Sequence, residues 1–172
     1  NELRRITGYA PIDIGIGLHT GPLIIGAIGS ANRIDTTVIG NTVNVASRIE
    51  GMTSYYKAGI IVSEALYLDL TEPQKYQTRE IGSILVKGKT TPIVLYEIYN
   101  TDLPEIIELK NKTAPLIARG ISLFRERQFE EARKQFREAL RSYELDSVAR
   151  LYYKLSTKFM ATPVPDNWQG AI

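Results

Sequence analysis

The residue types best suited to chemistry lie between residues 33 and 48 and centre on an asparagine and an arginine. Asn44 and Arg48 are four positions apart in a segment with helical spacing, so both side chains leave one face of the predicted helix. An amide beside a permanent cation, near a helix start, suits a ligand with a sugar and a phosphate. Such a pair is more commonly a solvated helix face, so the surrounding sequence has to decide between the two readings.

Two further segments carry side chains that would complete a nucleotide site. Thr37 closes the strand that feeds this helix, so its hydroxyl can point into the same cleft. Farther along, Lys87 and Lys89 flank a flexible glycine and could grip a polyphosphate, and Lys87 is the favoured ligand. Hydroxyls at strand ends mostly satisfy turns and lysines are ordinarily at the surface, so neither segment predicts a site alone.

The sequence around these residues predicts an α+β sandwich with a mostly antiparallel sheet over residues 1–100. Apolar residues alternate with small or polar ones in the predicted strands, and short links favour antiparallel pairing of neighbours. Asn41 is predicted to cap the helix that carries the pair, and Ser63 to cap a later short helix. The predicted strands are 12–18, 23–28, 33–39, 59–62, 77–81 and 93–98.

Residues 101–172 are predicted to form a second, all-helical unit that begins at a polar stretch ending in Pro104. Its predicted helices are 104–128, 129–143 and 146–160. Small and aromatic residues fall where tetratricopeptide repeats place their packing residues, namely Gly120, Ala132, Phe136 and Ala139. A single repeat cannot bury its own apolar face, so this tail should lie against the first half, a second copy of the chain or residues upstream of it.

Composition excludes several classes of protein and partner. The 172 residues have a formal net charge of +2, which is too small to favour nucleic acid or an anionic membrane. With no cysteine, disulfides and thiolate metal sites are excluded. No apolar run approaches the roughly 18–20 residues of a membrane span. Asn1 to Ile6 resembles the last turns of a helix with no cap, so we expect further residues upstream in a larger protein. The absence of cysteine fits a reducing interior, and we expect a cytoplasmic domain.

Taken together, the motifs resemble the class III adenylate and guanylate cyclases. Four segments carry the resemblance in the family's order and spacing: Gly15 to Gly21, Ile28 to Ser30, Thr37 to Arg48 and Val86 to Lys89. The long third segment is the most specific of them. The resemblance runs from residue 1 to about residue 100, and it implies the C-terminal half of a cyclase catalytic domain, related to the ferredoxin-like fold.

The resemblance implies a reaction and a role for each candidate residue. The family cyclises a nucleoside triphosphate, with the ribose 3′ oxygen attacking the α-phosphate and pyrophosphate leaving. Asn44 would orient the ribose and Arg48 would neutralise charge on the α-phosphate, as the catalytic residues. Thr37 would read the purine edge and Lys87 would hold the terminal phosphates. A threonine there is similar to adenylate-type bacterial enzymes, so ATP is the expected substrate and GTP the alternative.

The resemblance also implies that part of the active site comes from elsewhere. The family's metal-binding aspartates, which hold Mg²⁺ or Mn²⁺, and its purine-reading lysine belong to the front half of the domain. Asp13 and Asp35 lack the family's metal motif and are interpreted as strand-edge residues, so no metal ligand is expected in this chain. Because the family's sites form between the two protomers of a dimer, the chain is expected to supply one side of a homodimer site and to be inactive alone.

Two other interpretations of the sequence remain. His19, the single histidine, is expected to be structural, because the family's chemistry does not need it. The chain could instead be a non-catalytic interaction module that dimerises through a cyclase fold and binds a protein partner through the helical tail. The presence of both Asn44 and Arg48 disfavours that function.

Overall fold

The computed structural model describes residues 1–30, 33–86 and 91–172 of the chain. The strands are β1 Ile16–Leu18, β2 Ile24–Ser30, β3 Arg33–Ile39, β4 Ile60–Ser63, β5 Thr78–Ile84 and β6 Ile93–Ile98. The helices are α1 Glu2–Ile6, α2 Asn41–Tyr56, α3 Glu64–Leu68, α4 Pro104–Arg125, α5 Phe129–Ser142 and α6 Ser147–Ala161. A 3₁₀ turn covers Pro73–Lys75.

The strands of the described residues form a mixed four-stranded sheet and a separate hairpin. The order in the sheet is β1-β4-β6-β5, with β1 parallel to β4 and the other two pairs antiparallel. The hairpin joins β2 and β3, from Ile24 opposite Ile39 to Ser30 opposite Arg33. The α+β fold with a mixed, mostly antiparallel sheet is confirmed. Pairing with the next strand along the chain holds for β2 with β3 and for β5 with β6, whereas β1 lies beside β4.

Two local predictions about the first half are wrong. The strand predicted at residues 12–18 begins only at Ile16, because the Asn1 side chain bonds both the N–H and the carbonyl of Ile12 and holds it outside the sheet. Asp13 therefore precedes the strand. The N-cap of α2 is Gly40 rather than Asn41, which is the first helical residue. The capping of α3 by Ser63 is confirmed, since its hydroxyl accepts a hydrogen bond from the Leu66 N–H.

A close backbone contact between β1 and α2 fixes the position of that helix. A Cβ added to Gly17 would lie 2.1 Å from the backbone nitrogen of Glu50 and 2.8 Å from the carbonyl oxygen of Ala46. Because both are backbone atoms of α2, no side-chain movement relieves the overlap. On the same side of the helix, Val45 and Ile49 are fully buried in the core.

Gly17→Ala is expected to lower the free energy of unfolding by about 1–3 kcal/mol, the usual cost of forcing extra volume into a packed interior. Gly51→Ala is the matched control, because Gly51 lies in α2, the helix that Gly17 contacts, but has open space around it. That control should be neutral or slightly stabilising, since alanine favours helix over glycine. Urea unfolding of both variants measures the difference. An unchanged midpoint for Gly17→Ala would contradict the close contact.

The C-terminal helices form an antiparallel bundle that packs on the first half. α4 packs against α5, and α5 against α6. Gly120 lets α4 approach α5, since a Cβ there would lie 2.6 Å from the Phe136 ring. The buried apolar residues form one cluster that includes Ile61 and Ile81 of the sheet as well as Tyr152 of α6. Of the three surfaces predicted to cover the apolar face of the tail, the one that does so in the structure is the first half of the chain.

A buried cluster of charged side chains joins the sheet to the helices. Arg79 of β5 donates from Nε to Glu97 Oε2 at 2.8 Å and from Nη1 to Asp146 Oδ2 at 2.5 Å. Lys110 of α4 donates from Nζ to Glu97 Oε1 and to Asp102 Oδ2, both at 2.6 Å. Burial alone lowers the pKa of Arg79, but the two carboxylates outweigh burial and raise it above the ordinary value. The cluster balances its buried charges internally.

Candidate nucleotide site

The two predicted catalytic residues lie together on the solvent side of α2. Asn44 and Arg48 are both exposed, and together with Ser47 they line a pocket of about 350 Å³. Val45 and Ile49 hold the opposite side of the helix in the core. Among the described residues, neither Asn44 nor Arg48 has a hydrogen-bond or ion-pair partner in the protein. Both side chains are therefore available to a ligand.

The start of α2 adds a favourable field for an anion. Asn41, the first residue of the helix, also lines the pocket, so the pocket lies beside the helix N-terminus. The first N–H groups of a helix lack intrahelical acceptors and carry the positive end of its dipole. No acidic residue in the first turn offsets this field. The Thr42 hydroxyl donates to the Pro22 carbonyl at 2.6 Å and fixes the first turn against the segment before β2.

The segment after β5 reaches the same pocket. Val86 is buried in the core and also lines the pocket opposite α2. Lys87 and Lys89 follow it directly in the sequence, but they lie outside the described residues. The phosphate-binding role of Lys87 therefore remains a prediction, supported by the position of its neighbour.

Thr37 lies on the hairpin rather than at the pocket wall. It sits in β3 opposite Gly26 of β2 and is half-buried. In the described part of the chain, the residues that line the pocket come from α2 and from Val86, and Thr37 is not one of them. Its contact with a purine remains a prediction.

The described residues offer no metal site. Within residues 1–30, 33–86 and 91–172, no group of three or more His, Cys, Asp or Glu side chains is arranged to hold a metal ion. Asp13 is exposed in the segment before β1, and Asp35 lies in β3. This donor set does not fit the metal pair that the resemblance implies. His19 lies away from the pocket, with Nδ1 2.7 Å from the Ser63 hydroxyl that caps α3.

Sequence reasoning missed Asn41 and Ser47 as lining residues of the pocket. Asn41 precedes Asn44 by three positions and Arg48 by seven, which is the spacing of one helix face. That signal was present, but Asn41 was interpreted as a cap. Ser47 lies next to Arg48 and carries no distinguishing pattern of its own.

A larger cavity of about 770 Å³ lies between the end of α2 and the helices α4 and α6. Charged residues of both signs line it, including Arg79, Lys110 and Asp146. These three buried groups already bind one another or Glu97. The unpartnered Asn44 and Arg48 therefore make the smaller pocket the better candidate for nucleotide chemistry.

Comparison with known proteins identifies the family. Residues 3–100 match the adenylate and guanylate cyclase catalytic domain, and the chain belongs to this family. It is 45% identical over 93 residues to an adenylate cyclase of Anabaena cylindrica, a match that covers 54% of this chain and 18% of that protein. It is 30% identical over 138 residues to the terminal-differentiation-specific adenylate cyclase of Dictyostelium discoideum, covering 78% of this chain and 6% of that protein.

Among solved structures, an adenylyl cyclase of P. aeruginosa aligns with a TM-score of 0.48 and 34% identity. The alignment covers 56% of this chain and 48% of that one. The chain spans less than a fifth of the length of the two curated relatives. None of the helices in the described ranges is both long enough and apolar enough to cross a membrane.

Proposed function

We propose that the chain supplies the ribose and phosphate side of a site that converts ATP to 3′,5′-cyclic AMP and pyrophosphate. The observation that carries this proposal is the pocket at the start of α2, where Asn44 and Arg48 stand side by side with no partner among the described residues. Membership of the cyclase family supports the reaction class. The adenylate cyclases among the relatives support ATP over GTP.

In this proposal, the two side chains have separate roles. The Asn44 amide holds the ribose so that its 3′ oxygen faces the α-phosphorus, which replaces a random encounter with a fixed approach. The bond from O3′ to the α-phosphorus forms as the bond to pyrophosphate breaks, and the hydroxyl proton is lost to solvent. The Arg48 guanidinium offsets the charge that grows on the α-phosphate oxygens in the transition state. Lys87, which follows Val86, binds the departing phosphates.

In this proposal, a second protomer completes the site. The described residues offer no carboxylate cluster for the metal ions, so that part of the site lies on another surface. The β2–β3 hairpin exposes a set of large apolar side chains, which is typical of a protein-binding surface. They are Ile24, Ile25, Val38 and Ile39, together with Leu23 directly before β2. A homodimer that covers this hairpin is the proposed assembly, and the chain alone is expected to be inactive.

The substrate preference tests the proposal and the role of Thr37 together. The full-length protein that carries this chain is expected to form cyclic AMP from ATP faster than cyclic GMP from GTP in the presence of Mn²⁺. Thr37→Ala should lower the ATP-to-GTP ratio of kcat/KM about two- to tenfold, the value of one hydrogen bond. Thr36→Ala is the matched control, because Thr36 lies on the opposite face of β3.

Each other result would favour a specific alternative. A preference for GTP would favour a guanylate cyclase and overturn the interpretation of Thr37. No turnover of either nucleotide by a folded dimer would favour the non-catalytic interaction module. A tetratricopeptide-like tail that binds a protein partner receives less support, because the apolar face of the tail already packs on the sheet. The proposal places the protein in cytoplasmic signalling, with no nucleic acid partner.

A further inference from the structure

The elements that form the two walls of the candidate site are both held by the C-terminal helices. α2 carries Asn44 and Arg48, and β5 leads to Val86 on the other wall. α6 contacts α2, and α4 contacts β5. The helices lie beyond residues 3–100, the part of the chain that matches the cyclase family. Their contacts with α2 and β5 therefore indicate a role that the family match does not describe.

The most direct contact is a joint of three elements at a bulge in β5. The register of β5 against β6 shifts between Glu80 and Gly82, and Gly82 has a φ of 132°, which favours glycine. A Cβ on Gly82 would lie 1.9 Å from the Tyr152 hydroxyl oxygen and 2.7 Å from that of Tyr56. One phenol from α6 and one from the end of α2 thus meet over the bulge.

Both phenols are fixed in place by packing. Tyr56 and Tyr152 are fully buried, and burial raises the pKa of each hydroxyl above its ordinary value, so both stay neutral. The Tyr152 ring stacks on Phe136 at 5.2 Å and meets Phe124 edge-on at 5.0 Å. These aromatic contacts leave the Tyr152 ring little freedom, so it acts as a spacer of fixed size between α2 and β5.

Further hydrogen bonds tie the tail to the same two elements. The Ser147 hydroxyl at the start of α6 donates to the carbonyl of Tyr56, the last residue of α2, at 2.5 Å. The N–H of Ile172 donates to the carbonyl of Ser83 in β5 at 3.0 Å. Tyr56 is part of the joint and Ser83 is next to Gly82, so both hydrogen bonds lie close to the joint.

We propose that Tyr152 is a positioning residue of the nucleotide site. Its ring, whose Cζ would lie 3.1 Å from a Cβ on Gly82, sets the separation of α2 and β5, and therefore the separation of Arg48 from Val86 across the pocket. A helix of 16 residues moves as a rod, so a shift at Tyr56 carries through to Arg48 two turns away. A misplacement of about 1 Å at a reacting group can cost about 100-fold in rate. The inference rests on the proposed function.

Hydrogen exchange on the 172-residue chain tests the positioning without any assay of activity. Tyr152→Leu removes the spacer and is expected to raise amide exchange in α2 and β5 about fivefold or more over the same amides in the unmodified chain. Tyr152→Phe keeps the ring and should restore slow exchange. Ala139→Gly is the control, because Ala139 is buried on α5 between the other two helices and its loss loosens the bundle.

Turnover by the full-length protein tests the consequence for the site. Tyr152→Leu is expected to lower kcat about tenfold or more while KM for ATP stays within about threefold, because position matters most in the transition state. Tyr152→Phe and Ala139→Gly should stay within about twofold of the unmodified protein when all are assayed well below their melting temperatures.

The outcomes separate this inference from the proposed function. The positioning role would be overturned if Tyr152→Leu and Ala139→Gly changed exchange in α2 equally. It would also be overturned if the two variants had the same kcat. If Tyr152→Leu does not fold, Ser147→Ala replaces it with the same expectations, since it cuts the bond to the end of α2. If the unmodified protein makes no cyclic nucleotide, the proposed function fails, and the exchange experiment still decides whether α6 holds α2.

Discussion

Arg48→Ala is expected to lower kcat for cyclic AMP formation about 100- to 1,000-fold, the usual cost of removing a group that stabilises transition-state charge. KM for ATP should change by less than about threefold, because the charge that Arg48 offsets grows only as the α-phosphorus is attacked. The full-length protein that carries this chain, assayed with Mn²⁺, provides the measurement.

The structure also predicts that this loss leaves folding unaffected. Arg48 is exposed and has no partner among the described residues, so the melting temperature of the Arg48→Ala variant should match that of the unmodified protein. Arg137→Ala, at an exposed arginine of α5, is the matched control and should keep full activity. Arg48→Lys keeps the charge without the planar fork and should recover only part of the rate. Unchanged turnover by Arg48→Ala would refute the proposed catalytic role.

The pocket could be predicted because its information is local. Asn44 and Arg48 lie on one face of a single helix, and helical spacing alone places them together. The same is true of the tail, where the helices predicted at 104–128, 129–143 and 146–160 end within a few residues of α4, α5 and α6. Their apolar stripes and capping residues are properties of short segments.

The sheet order was beyond the sequence pattern because pairing partners are far apart in the chain. β1 lies beside β4 across the whole hairpin and α2, and nothing in residues 16–18 specifies that neighbour. For Thr37, the structure shows a position in β3 opposite Gly26 and no place in the pocket lining, and its contact with a purine stays a prediction.

The buried charge cluster was missed for a similar reason. Arg79 and Glu97 are spaced like the polar residues of strands, which usually face water. The tail covers that face of β5, and Asp146 comes from 67 residues away to meet Arg79. No single segment of the sequence predicts these ion pairs, because their members meet only when the helices pack on the sheet.

Arg79→Met is expected to cost about 3–5 kcal/mol of the free energy of unfolding, the range observed when one partner of a buried ion pair is removed. The substitution keeps much of the apolar stem of the side chain. It leaves Asp146 without an ion-pair partner among the described residues and leaves Glu97 with only Lys110, although both carboxylates are nearly fully buried. Urea unfolding at constant slope gives the change. Lys134→Met, which breaks an exposed pair with Glu131 on α5, is the control and should leave the midpoint unchanged.

A double-substitution cycle distinguishes stranded charge from lost packing. Asp146→Asn keeps a good N-cap for α6, where the aspartate now accepts from the N–H groups of Val148 and Ala149, while it removes one buried negative charge. Asp146→Asn should therefore be less costly in the Arg79→Met background than in the unmodified protein, with a coupling of about 1–3 kcal/mol. If the costs of the two substitutions simply add, Arg79 stabilises the contact between sheet and helices through packing. The carboxylates that it binds are then stabilised by other groups.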